Sequence, residues 1–141
     1  MWHEPDDAQV KEVLREAKSV AIVGVSDNPE KASHGVAKWL MAHTKYELFF
    51  VNPKLESLFG KPVYKSLADI PVAIDIVDVF RRGEDMPAVY ADAAAIRPKV
   101  FWMQLGIFNQ EVAEQAAAAG MVAIQNRCIK IECAKYPELY S

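Results

Sequence analysis

Four short stretches of the 141-residue chain hold residue types that grip phosphate or a nucleotide: Gly24-Val25-Ser26, Asn52-Pro53-Lys54, Val79-Phe80-Arg81-Arg82 and Gln104-Leu105-Gly106. The first opens as a dinucleotide fingerprint does. That fingerprint, G-x-G-x-x-G, needs its second glycine for close approach to a pyrophosphate and its third for helix packing. The string Gly24-Val25-Ser26-Asp27-Asn28-Pro29 keeps only the first. Backbone N–H groups around Val25 to Asn28, the Ser26 hydroxyl and the start of the following helix, with Ser33 as its cap, still suit phosphate oxygens. A strand-glycine-turn-helix junction is equally required by the fold alone, so both readings stand. Lys31 adds a cation beside this turn.

In the second stretch, the acidic residue that would hold the hydroxyls of an NAD ribose is replaced by Pro53-Lys54, and a lysine there suits a phosphate on the ribose. The third puts an aromatic ring and two guanidinium groups together, for stacking and pyrophosphate contacts, although one arginine also has Glu84 or Asp85 as a partner. The fourth is uncharged, and Gly106 permits close backbone approach, as in a wall for an apolar or amide-bearing ligand arm.

The remaining polar groups offer less chemistry. His3, His34 and His43 have no Cys, Asp or Glu at ligand spacing, so no metal site is expected. Asp75 and Asp78 fall on opposite faces of a strand and make no carboxylate pair. Cys128 and Cys133 fit neither a disulfide framework nor a metal pattern and read as reduced thiols, Cys128 beside Arg127 being the candidate for reactivity. No nucleophile has an adjacent base, and no catalytic residue is assigned.

The elements that must position these stretches follow from alternating periodicities. Val10, Val13, Leu14 and Ala17 recur at helical spacing behind Asp6 or Asp7 as cap, and Val20 to Val25 is a short apolar run that reads as a strand buried on both faces. Val36, Ala37, Trp39, Leu40 and Met41 make a second helix and Leu48 to Val51 a second strand. A long polar segment then leads to a short element near Val63 and Tyr64 and a single turn between Ser66 and Asp69. A third strand over Ile74 to Phe80, a helix from Glu84 to Ile96, a fourth strand over Val100 to Leu105, a helix capped by Asn109 and ended by Gly120, and a fifth strand over Met121 to Ile124 complete the alternation. The pattern predicts an α/β chain: a Rossmann-like three-layer αβα fold with a mostly parallel five-stranded sheet, as one domain over residues 1–141. Ligands of such sheets bind beyond the carboxyl ends of the strands, where all four stretches fall.

Composition bounds the rest. With 52% hydrophobic and 25% charged residues the chain has a sizeable core to bury, and a net charge of -3 gives no general attraction to nucleic acid or an anionic membrane. Neither a signal-peptide pattern nor an apolar run of membrane-spanning length is present, so a cytoplasmic location is expected. Trp2, Tyr136, Leu139 and Tyr140 leave two readings open: contact with a partner, such as a second copy in a homodimer, or a tail that covers the domain.

Taken in series, Val20-Ala21-Ile22-Val23-Gly24-Val25-Ser26, Val51-Asn52-Pro53-Lys54, Ile74 to Arg82, Trp102-Met103-Gln104-Leu105-Gly106 and Asn126-Arg127-Cys128 resemble the small stand-alone CoA-binding domain proteins. That family is similar in turn to the CoA-binding domain of the succinyl-CoA synthetase α subunit. The resemblance implies coenzyme A or an acyl-CoA as ligand. It sets Gly24, Val25 and Ser26 at the pyrophosphate, Pro53 and Lys54 at the adenosine 3′-phosphate, Val79, Phe80 and Arg81 at the nucleotide, and Gln104 to Gly106 along the pantetheine arm. Ile124-Gln125-Asn126 stands where relatives more often have a Met-Asp pair. The synthetase's phosphohistidine belongs to a further domain, so its ligase activity is not carried over. The expected function is CoA binding without independent catalysis. The alternatives are an NADP-binding oxidoreductase or redox-sensing domain, an enzyme acting on acyl-CoA or exchanging thiols through Cys128, and an interaction domain with a vestigial nucleotide site.

Overall fold

A computed structural model describes residues 2–141. Helix α1 (Asp7–Glu16) starts where Asp6 accepts a hydrogen bond from the Gln9 amide while the Gln9 side chain accepts from the Asp6 amide, a reciprocal cap. Its buried Val10 and Leu14 face the sheet. Strand β1 (Ser19–Val23) is buried along its whole length and lies parallel between β2 (Glu47–Val51) and β5 (Ile76–Val79). Beyond β5 come β6 (Val100–Met103) and β7 (Val122–Ile124), both parallel.

The sheet has seven strands, in the order β3-β4-β2-β1-β5-β6-β7, rather than five. The two additions are β3 (Ser57–Leu58), within the segment that reads as polar, and β4 (Lys61–Tyr64), where a short element is expected near Val63 and Tyr64. They form an antiparallel hairpin whose two turn residues, Phe59 (φ 52°) and Gly60 (φ 76°), both have positive φ, the backbone twist that joins such strands. With only Leu58 and Val63 buried, the pair is too short to show a period. Strand β4 nevertheless runs parallel to β2, Val51 opposite Tyr64.

Helices α2 (Ala32–His43) and α5 (Ile129–Ala134) join α1 on one face, α3 (Met86–Ile96) and α4 (Gln110–Ala118) cover the other, and the sheet contributes to both cores. Val20 and Ile22 belong to the first core, Ala21 and Val23 to the second, as the alternation of a strand requires. Trp102, Phe50 and Phe101 are the largest fully buried side chains, and burying an aromatic or aliphatic residue of this kind contributes about 1.5 to 3 kcal/mol.

Several boundaries shift for physical reasons. Ile74 and Asp75 precede β5 because the Asp75 carboxylate turns back to accept from the Lys18 and Ser19 amides. Ser33 does not cap α2; Lys31 holds that position and Ser33 is buried in the first turn, its Oγ accepting from the Ser26 amide at 2.9 Å. Asn109 does cap α4, accepting from the Val112 amide. The C-terminal residues fold back: Tyr136, Leu139 and Tyr140 pack on the first core, and the Trp2 indole N–H donates to the Ala123 carbonyl.

Candidate functional site

The chain leaves β1 toward β2 and β4 on one side and returns past β1 to β5 on the other, so the loops after β1 and β5 diverge and open a crevice between them. Gly24 lies at its floor with φ +84°. Its N–H donates to the Val51 carbonyl, the Phe80 N–H donates to the Val23 carbonyl, and a Cβ on Gly24 would stand 2.5 Å from the Phe80 oxygen. Only glycine fits this contact.

Two clefts meet at Gly24. The larger, about 510 Å³, draws Gly24, Pro53, Lys54 and Arg81 from the residues singled out in the sequence and adds Asn52, Lys65, Ser66 and Asp92. Asn52 fixes the turn on its β2 side: its Nδ2 donates to the Val25 carbonyl at 2.8 Å and its Oδ1 accepts from the Lys54 amide at 2.8 Å. The smaller cleft, about 300 Å³, is lined by Gly24, Ser26, Lys31, Ser33 and Phe80, with Ala32. Its hydroxyls are oriented by the backbone: Ser33 Oγ accepts from the Ser26 amide and Ser26 Oγ from the Asn28 amide, so both hydroxyl protons stay available to an acceptor in the cleft.

The other residues singled out lie apart from these clefts. Val25 and Val79 are fully buried in the two cores and can offer only backbone. Arg82 lines neither cleft; it is 79% exposed and paired with Glu84 at 3.0 Å and Asp85 at 3.7 Å. Gln104 is buried, its Oε1 accepting from the Ile129 amide at the start of α5. Gly106 stands farther along the sheet edge, its N–H donating to Asn126 Oδ1.

Lys65 is the residue most clearly missed. Its signal is that it follows β4 as Asn52 follows β2, which becomes visible only when β4 is recognised as a strand in register with β2. Of the cysteines, Cys133 is buried, accepts from the Tyr140 hydroxyl at 3.1 Å, and has its thiol pushed up to about 12 by burial. Cys128 is half-buried and not bonded to it. Arg127 lies beyond the fourth loop, its guanidinium reaching the Pro5 carbonyl, Asp7 and Glu132 within 3.2 Å. Among the described residues no group of three His, Cys, Asp or Glu is placed to hold a metal ion, and no helix is long and apolar enough to cross a membrane.

The family described as a CoA binding domain matches residues 18–134. The uncharacterized protein YneT of Bacillus subtilis (strain 168) is 39% identical over 127 residues, 90% of this chain and 93% of that one. A hypothetical protein from Pyrococcus horikoshii OT3 has the same fold with a TM-score of 0.88 at 32% identity, covering 96% of each chain. The dinucleotide-forming acetyl-coenzyme A synthetase 1 of Ca. Korarchaeum cryptofilum matches in fold at 23% identity and a TM-score of 0.72, over 82% of this chain and 27% of that much longer one.

Proposed function

The chain belongs to the CoA-binding domain family, and from that premise we propose that it binds coenzyme A or an acyl-CoA across the carboxyl ends of β2, β1 and β5, as a binding module without ligase activity of its own. The observation that carries this reading is the meeting of two phosphate-suited clefts at Gly24, where strand order reverses. Lys54 and Arg81 serve the nucleotide end in the larger cleft. Lys31 and the hydroxyl protons of Ser26 and Ser33 serve the pyrophosphate in the smaller one. Phe80, half-buried at the end of β5, offers a face for stacking. The pantetheine arm then runs toward Gly106 and Arg127.

Thermal unfolding with CoA, acetyl-CoA, dephospho-CoA, NAD and NADPH tests the reading. A ligand held at about 100 times its dissociation constant stabilises a fold by about 2.7 kcal/mol. CoA and acetyl-CoA are expected to raise the midpoint. A rise with NADPH and none with CoA would replace this reading with a redox domain.

A further inference from the structure

Lys65 and Lys54 occupy successive strand ends: Lys65 follows β4, Lys54 lies two residues beyond Asn52, and the Asn52 amide donates to the Tyr64 carbonyl between the two strands. The Lys65 ammonium donates to the Pro53 carbonyl at 3.2 Å and the Leu55 carbonyl at 3.3 Å. These carbonyls flank Lys54 in the chain, so Lys65 is braced against the turn that carries Lys54. An ammonium has three N–H donors and no acceptor, and two here are committed, which leaves one for a ligand. Among the described residues no carboxylate comes within 4.0 Å of either lysine, whereas Arg81, which lines the same cleft, already has Asp85 at 3.5 Å.

Two lysines on one cleft, neither paired with a carboxylate although Asp92 also lines the cleft, favour a compact group of double negative charge over a singly charged diester. We propose that Lys65, with Lys54, forms a clamp for a phosphate monoester, and that Lys65 is a specificity-determining residue of this site. The inference rests on the CoA reading for the identity of the ligand, whose ribose phosphate is its one monoester, while the clamp itself follows from the two lysines. The pyrophosphate, whose two phosphoryl groups each carry one ester and one anhydride linkage and a single negative charge, falls to the other cleft.

The test is titration of the full chain, its K65M variant and its K65R variant with CoA, dephospho-CoA and adenosine 3′,5′-bisphosphate, with a thermal melt of each protein to verify folding. K65M keeps the aliphatic stem and removes the charge. It is expected to weaken CoA and the bisphosphate by about tenfold or more and to leave dephospho-CoA nearly unchanged, while K65R keeps the preference for CoA over dephospho-CoA. Equal losses for CoA and dephospho-CoA in K65M would mean that Lys65 only holds the turn, and no loss for either would remove it from the site; both outcomes overturn the clamp. If the parent chain binds neither CoA nor dephospho-CoA, the CoA reading fails by itself. The bisphosphate then decides: binding that K65M abolishes upholds the clamp, and no binding overturns it.

Discussion

The Gly24 α-carbon lies so close to the Phe80 carbonyl that a methyl group there would stand 2.5 Å from the oxygen. This contact brings the ends of β1 and β5 together and sets the floor shared by the two clefts. Replacing Gly24 by Ala forces a side chain onto a φ of +84°, which costs roughly 1 to 2 kcal/mol. The overlap with Phe80 costs roughly 1 to 3 kcal/mol more. Denaturant unfolding of Gly24→Ala is expected to show a loss in this range, with ligand affinity falling alongside; unchanged stability would mean that the two strand ends are free to part.

The adjacent arginines separate by function. Arg81→Ala is expected to weaken CoA, because Arg81 lines the larger cleft. Arg82→Ala is expected to leave binding unchanged and to alter stability by less than about 1 kcal/mol, as an exposed side chain paired with Glu84 and Asp85. Isothermal titration of the two variants checks this, and equal losses would place Arg82 on the ligand.

Asp78 supplies a pH signature. It is fully buried in the middle of β5, neither carboxyl oxygen has a hydrogen-bond partner, and burial pushes its pKa well above the ordinary carboxylate range. A group whose folded pKa is raised contributes stability that is full below the unfolded pKa, about 3.9, and is lost as pH climbs toward the folded value. The slope from this one group is about 1.4 kcal/mol per pH unit within that window. Asp78→Asn removes the titration, so the stability difference between the parent chain and this variant is expected to grow as pH rises above about 4. A difference that does not change with pH would show the carboxylate to be ionised and solvated in the fold.

Arg127 ties the N-terminal residues to the end of the sheet. Its guanidinium holds the Pro5 carbonyl and the carboxylates of Asp7 and Glu132, with Glu4 at 3.6 Å. Arg127→Ala is expected to cost about 2 kcal/mol, in the range for charge-assisted hydrogen bonds. Amide exchange should quicken over residues 2–7 before the rest of the molecule loosens. The Asp7 carboxyl, held low chiefly by its hydrogen bond to Arg127, is expected to return toward the ordinary range in the same variant.

The parallel strands were legible because burial on both faces makes them short runs rich in apolar residues: Ile74 to Phe80 and Val100 to Leu105 contain β5 and β6, and Val20 to Val25 covers β1 except for its first residue, Ser19. The hairpin of β3 and β4 was legible only as a short element near Val63 and Tyr64, since two and four residues that include Lys61 and Pro62 carry too few apolar positions to make a pattern. Lys65 was hidden with it. Helix α5, at six residues, is shorter than two turns and is anchored by Gln104, whose contact with Ile129 spans 25 positions of sequence. The burial of Asp78 was illegible for a related reason: a strand covered on both sides has no solvent face to which an acid can be assigned.

The two rims of the sheet bear on how copies of this chain meet one another. Strand β3 contributes two residues to one rim and β7 three to the other. Rims this short present few free backbone amides and carbonyls to a neighbouring molecule, so the sheet is a poor template for continuing into another copy or for fibrous aggregation. An assembly of these chains would therefore be built through side-chain surfaces, leaving the crevice at Gly24, in the middle of the strand order, clear of any strand-to-strand joint.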